Sequence, residues 1–271
     1  MRILALLEQA SIRFADFVTT CTEQMRERFI ERGAPADKIA VVLNSFDEER
    51  FPPEPYLAAT AAPGPTFTLI CHGTIEPNYG LDIIVRAIAL LRDRIPGLRL
   101  DVWGDGTHRP AVEALVSELG LEDRVRFSGW VTMDALMPHL AAADAGVVAV
   151  RRDAFRDVTL CTKMFDLVSL RKPVIISRTR AVEHYFGDEC FAMFESGDEH
   201  GLADAILAVY TDPARREQLV RNATARNEPY RWMHQAARYV EVVKRLAARA
   251  HKSVAPEPIA PAEILGEVAS R

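Results

Sequence analysis

An α/β fold built on a doubly wound parallel sheet is what this sequence predicts. Short apolar runs, bounded by Gly, Pro, Asn or Asp, alternate with longer segments of 3.6-residue period. Strand, helix, strand in repetition gives parallel sheets with crossover helices. The composition agrees: 49% hydrophobic and 26% charged residues belong to a globular chain and exclude a disordered or fibrous one.

The elements follow in order. The strand candidate 16–20 (DFVTT) leads to a helix capped by Thr22 and ended by Gly33, then to the strand 38–43 (KIAVVL). With one further helix before residue 16, that is all that residues 1–45 contain. Two strands cannot cover both faces of a parallel sheet, so this segment reads as the end of a domain whose beginning lies elsewhere. Residues 46–65 carry five prolines within FPPEPYLAATAAPGP, show no period and read as a linker.

Six strand candidates follow: 66–72, 98–103, 124–129, 145–150, 172–177 and 190–194. The periodic segments 80–94, 109–119, 132–142, 162–170, 199–211 and 213–226 are the crossover helices. Thr132 or Asp134 and the pair Asp212–Pro213 look like helix starts. Residues 66–229 therefore read as one complete domain. The segment 230–250 follows as a helix with an apolar face of Trp232, Ala236, Tyr239, Val243 and Leu246. From residue 251 the chain reads as a flexible tail, with one short helical turn at AEILGEVA.

Charge and cysteines narrow the function. Against 33 Lys and Arg stand 38 Asp and Glu, so the net charge of -5 argues against a nucleic-acid partner. No run of 18 apolar residues is present, and MRILALLEQ is too short for a signal peptide core. Cys21, Cys71, Cys161 and Cys190 lie singly, which suits free thiols in a reducing cytosol. Seven histidines show no ligand spacing, so no metal site is expected.

Three stretches carry the chemistry. The first strand of the complete domain runs into HGTIEPNYGLD, residues 72–82. A glycine directly after a buried strand lets a ligand approach the backbone, and ligands bind at the carboxyl ends of parallel strands. The same residues also suit a plain turn. His72 ends that strand and fits a structural imidazole as well as a ligand contact. The second strand ends in GDGTHR, where Gly104 and Gly106 allow a tight turn before a helix whose amides could face an anion. The dinucleotide fingerprint lacks its third glycine, which argues against nicotinamide or flavin. The third stretch is VVAVRRDAFRDVTLCTKMFDLVSLRKPVIIS. Arg151, Arg152, Arg156 and Lys163 surround a helix start near Thr162, a setting for a diphosphate. Asp166 shares the face of Lys163 and could accept hydrogen bonds from a ribose diol. A solvated charged loop with an ordinary Lys–Asp pair accounts for the same residues. Trp103 and Trp130 read as core or interface residues.

Taken in order, these motifs resemble retaining glycosyltransferases of the GT-B fold, of the family 4 type also called glycosyl transferases group 1. The resemblance runs from about Glu8 to Ala248. It implies two Rossmann-like domains, the C-terminal one for a nucleotide-sugar donor and the N-terminal one for the acceptor, often with a catalytic His. Residues 1–45 are then a remnant of the acceptor domain, and 230–250 is a helix that crosses back towards it.

The donor site implied comprises Gly73, Thr74, Asn78, Tyr79, Gly104, Gly106, Gly129, Val131, Arg152, Thr162, Lys163 and Asp166. Backbone at Gly129, Trp130 and Val131 would meet the base. The resemblance implies a UDP or GDP type of donor, retention at the anomeric carbon, no cofactor and no obligatory metal. It also implies a glycan or lipid-linked acceptor in cell-envelope polysaccharide synthesis, and a cytoplasmic location with peripheral contact at the inner membrane face. Thr74 and Tyr79 stand where the family commonly has a diphosphate-clamping Arg and Lys. Its paired glutamates fall on Val158 and Asp166, which leaves Asp166 as the one catalytic candidate. A non-catalytic nucleotide-binding protein, half of a split enzyme and, third, a sugar-phosphate epimerase of the same fold are the alternatives. An incomplete acceptor domain would leave Ile3, Leu6, Leu7, Ile12, Phe14 and Phe17 under-covered, favouring a partner chain or self-association.

Overall fold

All eight expected strands form, every pairing is parallel, and they divide into two sheets. The computed structural model describes residues 2–57 and 66–251. Helix α1 (Arg2–Phe14) precedes β1 (Val18–Thr20), α2 (Glu23–Glu31) and β2 (Ile39–Val41), and β1 and β2 pair with each other. Ile12, Ala34 and Ile39 form the small core of this part. Phe14 and four residues of the first turns, Ile3, Leu4, Leu6 and Leu7, stand exposed. Two residues depart from expectation: Ile12 is buried in that core, and Phe17 is half-buried.

The larger sheet takes β3 (Phe67–His72), β4 (Leu98–Trp103), β5 (Val125–Phe127), β6 (Ala145–Val148), β7 (Val174–Ser177) and β8 (Ala192–Phe194). Their order in space is β5-β4-β3-β6-β7-β8. The chain thus winds outward from β3 in one direction, then returns to its other side at β6. The crossovers are α4 (Leu81–Leu90), α5 (Arg109–Glu118), α6 (Met133–Ala142), α7 (Lys163–Ser169) and α8 (Arg180–Tyr185). They bury both faces. Ile84, Ile88, Leu202 and Ile206 pack on one side, and Leu140, Phe165, Phe186 and Phe191 on the other. Continuous apolar strands such as VIIS at β7 follow from this double cover.

Helices α9 (Glu199–Thr211), α10 (Pro213–Asn227) and α11 (Trp232–His251) close the fold. Side-chain caps start several helices. Asp198 accepts from the His200 and Gly201 amides at 3.0 Å, and Asp212 accepts from the Arg215 amide at 2.9 Å. Helix α8 escapes the sequence pattern because six residues are too few to show a period, although Thr179 caps it.

Two expectations need correction here. The stretch read as a linker is packed where it is described. Phe46 is buried, it meets Phe51 with ring centres 6.2 Å apart, and α3 (Glu54–Leu57) is a short helix. Residues 58–65, the tail from residue 252 and its AEILGEVA turn lie outside the described residues. Helix α11 buries a different stripe from the one expected. Gln235 and Val242 are buried, whereas Tyr239 and Val243 are 51% and 46% exposed. Gln235 governs this choice: its Oε1 accepts from the Leu43 amide at 3.1 Å, and its Nε2 donates to the Pro229 carbonyl at 3.0 Å. Arg231 adds an ion pair to Glu48 at 3.2 Å. The polar ties, which a hydrophobic count overlooks, turn the helix.

Helix α7 ends with Arg171 in the left-handed region, at φ 54°. The Arg171 amide donates to the Val168 carbonyl at 3.0 Å and the Lys172 amide to the Leu167 carbonyl at 2.9 Å, a termination that favours glycine. A side chain in that conformation costs about 1–2 kcal/mol, and the freer unfolded chain of glycine returns about 0.5–1 kcal/mol of it. Arg171→Gly is therefore expected to raise stability by about 0.5–1 kcal/mol, read from a chemical denaturation midpoint. An unchanged or lower midpoint contradicts this account.

Candidate functional site

The strand order reverses between β3 and β6, and a doubly wound sheet opens a crevice at the carboxyl ends there. Three strands deliver their turns side by side. The Gly73 amide donates to the Trp103 carbonyl at 2.7 Å, and the Gly104 amide donates to the Gly129 carbonyl at 2.8 Å. Gly73 has φ 96°, and a Cβ there would collide with the Lys163 side chain. Lys163, the first residue of α7, thus lies directly across the β3 turn. Gly104 has φ 143°, and a Cβ there would strike the Gly73 carbonyl, as one on Gly106 would strike the Ile75 carbonyl. These two glycines serve loop-against-loop packing.

Donors were expected at the amides near Thr162 and Lys163, and the two amides that follow them are taken within the turn. The Met164 amide donates to the Cys161 carbonyl at 3.1 Å and the Phe165 amide to the Thr162 carbonyl at 2.9 Å. The Thr162 and Lys163 amides have no backbone carbonyl partner among the described residues, and basic side chains add positive charge at the crevice. Lys163 Nζ sits 3.8 Å from the centre of the Tyr79 ring, and the Arg156 guanidinium sits 4.6 Å from it. Neither cation has a carboxylate partner among the described residues.

The other two arginines are engaged elsewhere. Arg151 pairs with Asp82 at 2.5 Å and donates to the Pro77 carbonyl at 3.1 Å. Arg152 pairs with Asp157 at 2.8 Å, so its charge is answered before any ligand arrives. Arg152 was expected among the donor-binding residues, and sequence spacing had no means of matching it to Asp157.

Asp166, one turn after Lys163, reaches the same strand end. Its Oδ2 lies 2.8 Å from His72 Nε2, with side chains only 13% and 5% exposed. His72 is thereby a satisfied imidazole, and the pair bolts α7 to β3. Its Oδ1 makes no hydrogen bond among the described residues, yet it is not shut away from solvent. Thr74 is exposed, and neither its amide nor its hydroxyl has a partner among the described residues. Asn78 lends its carbonyl to the Arg151 amide at 2.9 Å. Val131 is half-buried against the core, and Val158 is buried, its carbonyl accepting from the Thr22 hydroxyl.

Of the two places expected for Trp130, the core is excluded: it is 75% exposed, next to Gly129. Trp103 stacks on His139 at 4.1 Å. The contact between Tyr79 and Arg156 and that between His72 and Asp166 have no sequence signal, because only the winding of the sheet brings those residues together. Among the described residues, no cluster of potential metal ligands occurs, and no helix is long and apolar enough to cross a membrane.

Residues 66–212, which contain every group at this crevice, match the family described as "Glycosyl transferases group 1". The chain belongs to that family. Residues 1–45 of this group 1 chain match the "Glycosyl transferase 4-like domain". It is similar to the lipopolysaccharide core biosynthesis glycosyltransferase LpsD of Rhizobium meliloti, at 33% identity over 73% of this chain and 54% of that protein. It is also similar to the GDP-mannose-dependent alpha-(1-6)-phosphatidylinositol monomannoside mannosyltransferase of Mycolicibacterium smegmatis, at 25% identity over 84% of this chain and 62% of that protein. The group 1 chain thus spans little more than half the length of these relatives. In fold it is similar to HepE of Anabaena, solved in complex with UDP and glucose. The TM-score is 0.74 at 18% identity, over 90% of this chain and 66% of that one.

Under Gly73, the Cys71 side chain packs towards the core. Burial pushes its thiol up to about 11, and the nearby Lys163 charge pulls it only partly back. The folded value lies above the ordinary value of 9.0, so the stabilisation is complete below about pH 9 and is lost as pH rises towards 11. A shift of this size amounts to about 2–3 kcal/mol. Denaturation midpoints of wild type and Cys71→Ala measured from pH 8 to 11 should converge, wild type losing more with rising pH. A gap that stays constant over this range contradicts the assignment.

Proposed function

We propose that this chain carries the donor-binding part of a retaining glycosyltransferase that takes a sugar from a UDP or GDP type of donor. One observation carries the reading: Lys163 lies on the Gly73 turn while Asp166 stands one helical turn further on, both at the strand ends where the winding reverses. A cation and a carboxylate so spaced suit the diphosphate and the ribose of one nucleotide. As the bond from the anomeric carbon to the diphosphate breaks, negative charge collects on the leaving oxygen. Lys163, with Arg156 beside it on Tyr79, would stabilise that charge, the kind of contribution that often dominates such transfers. Gly129 and Val131 would meet the base. The donor named for the Mycolicibacterium relative and the UDP held by HepE support a uridine or guanosine diphosphate. A glycan or lipid-linked acceptor of the cell envelope, met on the cytoplasmic side, completes the proposal.

Calorimetric titration with UDP and GDP tests it. Saturable binding of at least one is expected, and no saturation at millimolar concentration of either would sink the reading. Lys163→Ala and Asp166→Ala should each weaken binding about tenfold or more, since a hydrogen bond to a charged group is worth about 1.5–3 kcal/mol. Unchanged affinity in folded variants would mark the loop as solvated surface.

The exposed Ile3, Leu4, Leu6, Leu7 and Phe14 favour a second feature of the same function. Transfer requires donor and acceptor held in one orientation, and an apolar helix face of this kind marks a surface that another protein surface covers. The rest of an acceptor domain, a partner chain or a second copy would supply that cover. Light scattering should find the chain associated, with Leu4→Gln/Leu7→Gln shifting it towards the monomer. A wild-type monomer that by itself transfers sugar to an added acceptor would refute this dependence.

A further inference from the structure

His72 is the last residue of β3, one position before the turn on which Lys163 rests. Its side chain and that of Asp166 are nearly withdrawn from water, and their bond spans 2.8 Å. A carboxylate this enclosed must be paired, because an unpaired buried charge is strongly unfavourable. As an anchor of α7 to β3 alone, however, the pair is a poor choice. Apolar residues of similar volume hold such a junction at least as well, and α7 already buries Met164, Phe165, Leu167 and Val168.

The division of labour within the carboxylate is more informative. Oδ2 is taken by His72, while Oδ1 has no partner among the described residues and still reaches solvent. The contrast with Asp82 is direct: its free Oδ1 is sealed in the interior. At Asp166, one oxygen is fixed and the other is left open to solvent.

We propose that His72 is a positioning residue: it holds Asp166 so that Oδ1 accepts from the 2′,3′-diol of a ribonucleotide. The assignment rests on the nucleotide-binding reading above. Asp166 has a short side chain with few rotamers, so one bond to Oδ2 suffices to set the direction of Oδ1. A neutral imidazole protonated at Nε2 supplies that bond, and so does an imidazolium.

The test measures dissociation constants of UDP and GDP and of their 2′,3′-dideoxy counterparts on wild type, Asp166→Ala, His72→Leu and His72→Gln. Wild type should bind the ribonucleotide about tenfold or more tightly than the dideoxy form. Asp166→Ala and His72→Leu should bring that ratio close to one, with dideoxy affinity nearly unchanged. His72→Gln keeps an N–H donor and should retain most of the ratio; should His72→Leu fail to fold, the comparison of His72→Gln with His72→Ala decides. Equal weakening of both ligands by loss of His72, with the ratio preserved, would reduce the pair to a structural anchor and overturn the inference. A wild type that binds both forms equally overturns it too while sparing the nucleotide reading. Failure of wild type to bind any of the four ligands overturns both.

Discussion

The crevice exists because a parallel sheet wound outward from β3 must return past it to continue. The loops after β3 and β6 then leave towards opposite faces, which opens the gap between them. The groups named for the candidate site gather at that gap. Helix α7 starts beside it, with Lys163 lying across Gly73 in the turn after β3 and Asp166 bound to His72, the last residue of that strand. Shortening, lengthening or re-registering β3 would move both contacts at once, since its six-residue ladder with β4 fixes where the strand ends.

Charge at the crevice is decided by pairing rather than by count. Four basic side chains lie within the stretch 151–163, and two of them are already matched, Arg151 with Asp82 and Arg152 with Asp157. The two that converge on Tyr79 have no carboxylate opposite them among the described residues. Cations gathered at one aromatic ring repel each other, and an anion relieves that repulsion. Tyr79, in a place where the resembling family commonly has a lysine, thus contributes a surface on which charges from another loop are held.

The smaller sheet is joined close to this region. The Thr22 hydroxyl donates to the Val158 carbonyl, and the Tyr185 hydroxyl accepts from the Glu23 amide at 2.8 Å. Val158 adjoins the turn that carries Arg156, so the junction and the crevice share a loop. Helix α11 makes a second tie through Gln235 to the end of β2. Membership of the group 1 family and the fold shared with HepE agree with this two-part arrangement around a crevice.

The sequence by itself determined the strands, most helices and the stretches that matter. Periodicity and caps act over a few residues, so Thr22, Asp212 and the apolar runs announce their elements locally. It also placed Gly73, Lys163 and Asp166 at strand and helix ends, because turn chemistry is local too. Only the tertiary structure decided what those residues meet. His72 and Asp166 stand 94 residues apart in the chain, and Arg152 had several acids as equally good partners until the loop folded. The buried stripe of α11 was set by hydrogen bonds of one glutamine, and the exposure of Trp130 by the end of a strand. Local rules govern backbone conformation over one or two turns. The matching of charges and donors across the crevice depends on strand order, which no local pattern encodes.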